Sequence, residues 1–367
     1  MDYQKRRKRL RNYLTLHNIK SFLLTDFYNI LYLTGFKTLS PHEKEAKLVV
    51  TPDSFYFITD TRYQTEAGRY FKSANDVEVL IQSPDRTFIQ IVSGIFTDQD
   101  IRQLGFEKHD LSYAWFEYLQ NSLKAVQLKG LNNVVMDFRN QKDINEIDFM
   151  KKAASFTDEC LADVLQNIKG GIRERDIMHR MESWVKSRGL EFSFDPIVAF
   201  DEHSALPHYN NKMSDGVLGE HSIILIDMGI TYKDYCSDIT RVFFHGKPTK
   251  DQEKAYNDLL HIQKKTISAL QFGIKLDKID MTARQGLIDK GYPAIPHSTG
   301  HGVGLEVHEG LRVAHTVRDE LKEGIVLTIE PGIYFEGKWG MRIEDTVHLI
   351  DGKAQSLTQF PKNLIVL

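Results

Sequence analysis

The stretch SIILIDMGITYKDYCSDITRVFF, residues 222–244, has two apolar runs on either side of a short polar segment. This pattern predicts a β-hairpin. With the turn at Tyr232 and Lys233, Asp227 is expected directly opposite Asp238. Facing residues of antiparallel strands hold their Cβ atoms about 5 Å apart, where two like charges repel each other. Because a cation between them would relieve that repulsion, the hairpin predicts a cation site.

A second acid pair follows the same pattern in GIVLTIEPGIYFEGKWGMRIEDTV, residues 324–347. A hairpin turn at Gly337 places Glu330 opposite Glu344. Glu330 ends an otherwise apolar strand, where a buried carboxylate costs free energy unless it is paired or bound to metal. His301 lies in a glycine-rich segment between the two hairpins and adds an imidazole. Any one of these residues alone is more simply a surface or salt-bridge group, but the five together favour a metal site.

Four carboxylates and one imidazole suit hard or borderline divalent cations, so we expect two manganese ions, with cobalt, zinc or iron as alternatives. Two such cations roughly 3.5–4 Å apart share a bridging water and lower its pKa, which supplies a hydroxide near neutral pH. Attack of the bridging hydroxide on a polarised carbonyl predicts the hydrolysis of an amide bond.

This reaction also needs a proton shuttle and a hydrogen-bond donor for the developing oxyanion. Glu330 is the candidate shuttle, and His208 and His308 are the candidate donors. His297 is a candidate to orient His301 from outside the metal shell. A structural role is the simpler explanation for any one histidine, and the placement of His208 rests on the family resemblance described below.

The composition excludes several classes of protein. A net charge of −3 gives no general attraction to nucleic acid or to an anionic membrane. No apolar run is long enough to cross a bilayer, and the N-terminus lacks the apolar core of a signal peptide. Cys160 and Cys236 are too few for a disulfide framework, so reduced thiols in a cytoplasmic protein are expected. Cys236 is either a soft metal ligand near Asp238 or a small core residue, and the second interpretation is favoured.

A basic run lies near the N-terminus, where it could bind nucleic acid or form one face of a helix. Its members are Lys5, Arg6, Arg7, Lys8, Arg9 and Arg11. Apolar residues recur at helical spacing through the same segment, which favours a solvated helix face. We therefore expect neither nucleic acid nor a membrane as a partner.

The chain divides by pattern at about residue 138. Residues 1–138 alternate strands and helices, which predicts an α/β layered domain. Its predicted strands are SFLLT, KLVVT, FYFIT, VEVLI, IRQLGF and NVVMDF, and its predicted helices lie near 2–17, 61–71, 86–96 and 111–124.

Residues 139–367 hold two successive helix–helix–sheet halves, and each half supplies one acid pair. Helices are predicted from Ile144 after an Asp143 cap, from Glu174 to Arg188, from a Thr249 cap to Gln271 and over 277–290. The segment GVGLEVHE is predicted as a strand.

The segments LIDMGITYKDYCSDITRVF, STGHGVGLEVHE, TIEPGIY and MRIEDTV, in this order, resemble the pita-bread metallopeptidases. The most similar branch contains prolidase and aminopeptidase P, which cleave the peptide bond before proline, and SFLLTDFYNILYLTGF resembles the N-terminal domain of that branch. The resemblance implies a creatinase/prolidase-like α/β domain over 1–138. It implies an α+β pita-bread catalytic domain with pseudo-twofold halves over 139–367. It also implies a homodimer that acts on proline-containing dipeptides or short peptides.

The resemblance further implies roles for single residues. Asp227 would hold one metal, Asp238 and Glu344 would bridge both, and His301 and Glu330 would complete the second. His208 and His308 would contact the scissile carbonyl or stabilise the tetrahedral intermediate. Arg312 matches a position expected to bind the free carboxylate of a dipeptide, because a guanidinium can bind a carboxylate through two hydrogen bonds. The alternative for Arg312 is an exposed loop arginine, and the sequence leaves both open.

Three other interpretations keep the fold. A metal-free creatinase-like enzyme is disfavoured by the complete donor set, and a methionine aminopeptidase by the N-terminal domain. A non-catalytic binding module, as among histone-chaperone relatives of the fold, would be expected to have lost donors that this chain retains. Whether the enzyme is a dipeptidase or an aminopeptidase stays open at this stage.

Overall fold

The computed structural model describes residues 1–367, which divide into two compact units, Met1–Phe138 and Arg139–Leu367. The first unit is built on one mixed six-stranded sheet. Its strands are β1 (Phe22–Leu24), β2 (Ala46–Val50), β3 (Phe55–Asp60), β4 (Val77–Gln82), β5 (Gln103–Glu107) and β6 (Gln127–Leu131), in the order β4-β3-β2-β1-β5-β6. Its helices are α1 (Tyr3–Leu16), α2 (Phe27–Thr34), α3 (Gln64–Tyr70), α4 (Phe88–Asp98), α5 (Tyr113–Ser122) and α6 (Met136–Arg139).

The central strands of this sheet are buried on both faces, which explains their nearly continuous apolar runs. Leu23, Val49 and Ile58 pack against Val92 of α4 in one core cluster. Each side chain of this kind contributes about 1.5–3 kcal/mol when it leaves water. The α/β layers predicted for this part of the chain follow from that burial.

Two segments of the first unit differ from the sequence prediction. NVVMDF, predicted as a strand, instead leads into α6, and Asn133 has the left-handed φ of 52° that ends extended backbone. The last strand is β6, whose QLKGL sequence is mostly exposed and carries only a weak apolar signal. Helix α2 was not predicted, because its nearly all-apolar sequence has no polar face. The side chain of Asp26 caps it, and Gly35 ends it with a φ of 72°.

The basic run lies in α1, as predicted, but two of its residues are not solvated. Arg6 is buried, donates to the carbonyl of Tyr32 and stacks over that ring. Arg7 is buried as well and forms two hydrogen bonds to the carboxylate of Asp76. These two charges therefore stabilise the first unit internally and do not contribute to an open cationic face.

The second unit contains two helix pairs, each followed by strands. The first half has α7 (Ile144–Leu165), α8 (Glu174–Ser187), β7 (Glu191–Phe192), β8 (Ile197–Phe200), β9 (Ser222–Met228), β10 (Ile230–Tyr232), β11 (Tyr235–Cys236) and β12 (Ile239–His245). The second half has α9 (Lys250–Ser268), α10 (Leu276–Asp289), β13 (Gly300–His301), β14 (Arg312–Val313), β15 (Val326–Ile329), β16 (Gly332–Phe335), β17 (Trp339–Arg342), β18 (Asp345–Ile350) and β19 (Lys353–Ser356). None of the helices combines the length and the apolar composition needed to cross a membrane.

Local capping explains where these helices begin. Asp143 accepts a hydrogen bond from the Glu146 amide while Glu146 bonds back, and Thr249 and Gln252 form the same reciprocal box. Both predicted N-termini are confirmed. Such a cap typically stabilises a helix by about 1 kcal/mol.

Strand β9 lies between the two helix pairs, and its alternation sets the direction of Asp227. Ile224 and Ile226 pack in the cluster that contains residues of α7 and α8. Ile223 and Leu225 pack in the cluster that contains residues of α9 and α10. Asp227 follows Ile223 and Leu225 on their face, at the end of the strand.

The register of the first hairpin corrects the sequence prediction. Asp227 of β9 pairs with Thr240, and the turn falls at Lys233 and Asp234, one residue later than predicted. Both turn residues have positive φ, 50° and 69°, which is the geometry of a tight hairpin turn whose twist matches the strands. Asp238 therefore lies two residues before the position facing Asp227, on the same side of the hairpin.

The register of the second hairpin is as predicted. Ile329 pairs with Asp345 and Gly332 pairs with Arg342, so Glu330 and Glu344 occupy the facing positions between these two ladders. Gly337 lies in the turn with a φ of 68°.

Candidate metal centre

One cavity of about 670 Å³ lies within the second unit, and carboxylate and imidazole groups line it. Every site residue predicted from the sequence contributes to its wall: His208, Asp227, Asp238, His297, His301, His308, Arg312, Glu330 and Glu344. The structure therefore brings both acid pairs and the histidines to a single place.

The tightest group in this cavity consists of Asp238, His301 and Glu344. Their donor atoms lie within 4.8 Å of one another, and all three residues are buried. Nε2 of His301 lies 3.5 Å from Oδ2 of Asp238 and 3.6 Å from Oε1 of Glu330. Asp227 lines the same cavity, and one of its carboxylate oxygens forms an ion pair with Arg342.

His301 presents a neutral nitrogen to these acids. Its Nδ1–H donates to the carbonyl of Gly302 at 3.1 Å, which leaves the Nε2 lone pair towards Asp238 and Glu330. Burial lowers the pKa of His301 to about 3, so the ring carries no proton on Nε2 at neutral pH. Lone pairs that face each other repel, and a cation between them would bind both, as in other histidine–carboxylate metal sites.

The carboxylates also fit a cation. Oδ1 of Asp227 and Oδ1 of Asp238 are buried without a hydrogen-bond partner, which costs about 1–3 kcal/mol for each atom. Burial, reinforced by neighbouring carboxylates, raises the pKa of Asp238 and of Glu344 well above the ordinary range. Burial is also the main cause that raises the pKa of Glu330 to about 8. A bound divalent cation would reverse these shifts, because it stabilises the ionised carboxylates.

Glycines on both sides of His301 allow its close packing. A Cβ at Gly300 would lie 1.9 Å from the carbonyl oxygen of Thr328, and a Cβ at Gly302 would lie 1.9 Å from that of Glu309. The His301 amide donates to the Thr328 hydroxyl at 3.0 Å. The close approach of Gly300 to β15 and of Gly302 to the backbone of Glu309 explains the Gly-His-Gly sequence.

Arg342 is the most connected site residue that the sequence prediction left without a role. Its buried guanidinium donates to Oδ2 of Asp227 at 2.6 Å and to the Thr240 hydroxyl at 3.0 Å. It also donates to the Tyr334 hydroxyl at 3.0 Å and to the Pro207 carbonyl at 3.2 Å. Strand alternation places Arg342 on the face of Glu344, but Asp227, Thr240 and Pro207 are long-range partners that no local pattern indicates.

His297 is not placed to orient His301. Its Nδ1–H donates to the carbonyl of Ser298 at 2.8 Å, and its Nε2 accepts from the Tyr334 hydroxyl at 2.9 Å. The ring lies 3.8 Å from Glu330. The prediction that His297 orients His301 is therefore wrong, and His297 lies next to Glu330 instead.

The remaining polar residues of the cavity lie around the donor group. The ring of His308 packs edge to face on His301, with 4.3 Å between their centroids. Burial is the main cause that lowers the pKa of His308, and the nearby His208 adds to it.

Arg312 pairs directly with His301 across β13 and β14 and is exposed. Arg312 thus lies on the short strand β14 at the cavity wall and not in a loop, and its role in binding a carboxylate stays a prediction.

Cys236 lies outside the donor group. Its thiol is buried against the carbonyl of Leu305 at 3.7 Å, and burial raises its pKa to about 11. Both cysteines are free thiols, as predicted, and Cys236 is the small core residue that the sequence favoured.

The segment GVGLEVHE is a loop and not the predicted strand, because Glu309 folds inside it. The buried carboxylate accepts hydrogen bonds from the amides of Leu305 and Glu306 and from the side chains of Arg139 and Lys142. Burial alone would raise the pKa of Glu309, but the two cations outweigh it and lower that pKa to about 2. The network fixes the loop that carries His308.

We expect Glu309→Gln to lower the free energy of unfolding at pH 7 by about 3–5 kcal/mol, because Lys142 and Arg139 lose the buried carboxylate that they share. The depressed pKa means that this stabilisation is present above the ordinary pKa of 4.5 and is lost as the pH falls towards 2. Urea unfolding of both proteins at several pH values measures the effect. The half-exposed neighbour Glu306 supplies the control, and equal losses for Glu306→Gln and Glu309→Gln would contradict the prediction.

Comparison with known proteins gives a consistent assignment. The model of metallopeptidase family M24 matches residues 148–351, and that of the creatinase/prolidase N-terminal domain matches residues 6–141. A putative dipeptidase of Bacillus subtilis (strain 168) is 33% identical over 344 residues, which cover 92% of this chain and 93% of the relative.

Two solved structures are similar over nearly the whole chain. An Xaa-Pro dipeptidase from Bacillus anthracis has a TM-score of 0.90 and 30% identity, with full coverage of both chains. An X-Pro aminopeptidase from Thermotoga maritima MSB8 has a TM-score of 0.87 and 31% identity, over 98% of this chain and 99% of the other. The predicted family and fold class are confirmed: the chain belongs to metallopeptidase family M24 and carries a creatinase/prolidase-type N-terminal domain.

Proposed function

We propose that this chain is a two-metal peptidase that hydrolyses the peptide bond preceding proline. The observation that carries the proposal is the convergence of two acid pairs and a neutral imidazole in one cavity, with buried carboxylate oxygens that lack a partner. The similarity to an Xaa-Pro dipeptidase and an X-Pro aminopeptidase supports the substrate class. Manganese as the native cation, a homodimer and a cytoplasmic location stay predictions.

The five donors divide between two sites in this proposal. Asp227 would hold one cation, Asp238 and Glu344 would contact both, and His301 and Glu330 would complete the second. When bound, such cations polarise the scissile carbonyl and lower the pKa of the attacking water. Arg342 occupies one oxygen of Asp227 and so leaves the unpartnered Oδ1 as the donor atom.

Proton transfer and oxyanion stabilisation fall to protein side chains. Glu330 takes the proton of the attacking water and passes it to the leaving nitrogen, which for an Xaa-Pro bond is a tertiary amide without an N–H of its own. His308 and His208 donate to the oxygen that becomes negative in the transition state. His308 suits this role because its ring packs on His301 and its lowered pKa keeps it a neutral donor at pH 7.

Arg312 is the residue that would favour dipeptides over longer peptides. A dipeptide ends in a free carboxylate one residue after the scissile bond, and the Arg312 guanidinium on the cavity wall is suited to bind it. In a tripeptide the same position is an amide carbonyl. We propose the dipeptidase assignment on this basis.

We expect Arg312→Ala to lower kcat/KM for an Xaa-Pro dipeptide by roughly 30–150-fold, the equivalent of about 2–3 kcal/mol for a hydrogen bond to a charged group. Hydrolysis of an Xaa-Pro-Xaa tripeptide should change by less than about threefold. Arg318→Ala, an exposed arginine paired with Asp277 outside the cavity, is the matched control. Equal losses on the two substrates would rule out carboxylate binding by Arg312.

A non-catalytic binding module on the same fold is the competing function. Incubation of the manganese-loaded protein with an Xaa-Pro dipeptide distinguishes the two. Release of free proline supports the peptidase, whereas intact dipeptide and tripeptide after prolonged incubation would contradict it.

A further inference from the structure

A single buried carboxylate, that of Glu174, holds both ends of the segment that carries His208. Glu174 is the first residue of α8, and its side chain is fully buried. One oxygen accepts the amide N–H of Phe200 at 2.7 Å, and the other accepts the amide N–H of Gly216 at 2.6 Å. We call residues 200–216 the His208 loop.

The same two oxygens also bind side chains inside the loop. The first lies 2.9 Å from Nδ1 of His203, whose N–H donates to it. The second accepts the hydroxyl of Tyr209 at 2.7 Å. The rings of His203 and Tyr209 stack with 4.5 Å between their centroids. All four of these hydrogen bonds of the Glu174 side chain therefore go to residues of the His208 loop.

His208 itself is held through its neighbours. On one side, the carbonyl of Pro207 accepts from Arg342, which also binds Asp227 of the donor group. On the other side, Tyr209 is fixed by Glu174. The direction of the imidazole thus depends on two anchors, one within the metal centre and one outside it.

We propose that Glu174 is a positioning residue for His208, and that it acts on the reaction only through that histidine. The inference rests on the proposed function, in which His208 donates to the developing oxyanion. Such a donor is effective only when it points at the place where charge develops, and a displacement of about 1 Å can cost roughly 100-fold in rate.

The second half of the unit contains a comparable device. Asp280, in the second helix of its pair, is buried and accepts the hydroxyl of Thr299 at 2.6 Å and Nε of Arg284 at 2.7 Å. Arg284 in turn donates to the carbonyl of Ile295 at 2.7 Å, in the segment that leads to His301. In each half, an acid in the second helix fixes a segment that carries or leads to a histidine of the cavity.

The test is a double-mutant cycle between Glu174→Gln and His208→Ala with an Xaa-Pro dipeptide and manganese. In the wild-type background we expect Glu174→Gln to lower kcat by roughly 10–100-fold, with KM and metal content nearly unchanged. In the His208→Ala background the same change should cost less than about threefold, because the residue through which it acts is gone.

Glu146→Gln is the matched control. Glu146 is also a buried acid in the first turn of a helix, and it binds the Asp143 amide and the Tyr235 hydroxyl, outside the His208 loop. It should leave kcat within about threefold in both backgrounds. If Glu174→Gln does not fold, Tyr209→Phe removes one of its contacts while it keeps the ring stack, and the same coupling to His208 is expected.

The outcomes separate this inference from the proposed function. Equal losses for Glu174→Gln in both backgrounds, with an active wild type and an impaired His208→Ala variant, would overturn the positioning role alone. An inactive wild type, or a fully active His208→Ala variant, would overturn the proposed function or its use of His208, and the inference with it.

Discussion

Asp238→Asn is expected to abolish peptide hydrolysis and to remove bound metal. Asp238 is buried, lies 3.5 Å from Nε2 of His301 and, in our assignment, contacts both cations. An amide oxygen is a weaker ligand than a carboxylate and brings no charge to the site. We expect activity to fall by more than about 1000-fold, since loss of a residue that merely supports a ligand already costs roughly 10–100-fold.

The same substitution should affect thermal stability differently without and with metal, when the variant is compared with the wild type. Without metal, Asp238 lies among Asp227, Glu330 and Glu344, whose like charges oppose its ionised form. The metal-free Asn variant should therefore melt no lower than the metal-free wild type. With manganese, only the wild type should gain the full stabilisation that a tightly bound ligand gives.

Metal content after dialysis, thermal unfolding and dipeptide hydrolysis measure these effects together. Asp234→Asn is the matched control, because it makes the same chemical change in the turn of the same hairpin, where asparagine also tolerates the positive φ. An Asp238→Asn protein that retains two cations and its activity would contradict the assignment.

His308→Ala should lower kcat by about 100–1000-fold, the usual cost of one oxyanion donor, and leave KM and metal content nearly unchanged. The ring packs against His301 and lines the cavity, so its N–H can reach a substrate oxygen bound there. Because burial lowers its pKa, His308 acts as a neutral donor at pH 7 and not as a cation.

The exposed His315, seven residues further along the chain, provides the control substitution. Its loss should leave kcat within about threefold. A His308→Ala enzyme with wild-type kcat would show that the oxyanion is stabilised elsewhere, whereas a variant that has lost metal would show that His308 supports His301 instead.

The predictions that succeeded were those set by local chemistry. Gly337 marks the turn of the second hairpin, so the facing positions of Glu330 and Glu344 follow from counting along the chain. The first hairpin turns on Lys233 and Asp234 with positive φ and no glycine, which explains the one-residue error in its turn. The error moves the residue that faces Asp227 by two positions, from Asp238 to Thr240, and residues two apart on a strand point to the same side. Both acid pairs therefore still line one cavity.

The features that could not be predicted are contacts between residues far apart in the sequence. Arg342 meets Asp227 across 115 positions, and Lys142 meets Glu309 across 167. No spacing or propensity indicates such partners. The segment 302–311 looks like a strand by composition, and only the inward fold of Glu309 makes it a loop. In Met1–Phe138, apolar NVVMDF was mistaken for a strand for a different reason: hydrophobicity alone does not distinguish a short helix from a strand.

The account depends on five side chains that share two cations. Anomalous diffraction from a manganese-soaked crystal locates the ions directly. We predict two peaks per chain, roughly 3.5–4 Å apart, with all five donors in contact with at least one of them. A single peak, or two peaks that leave Asp227 or Glu330 out of coordination distance, would contradict the two-metal centre.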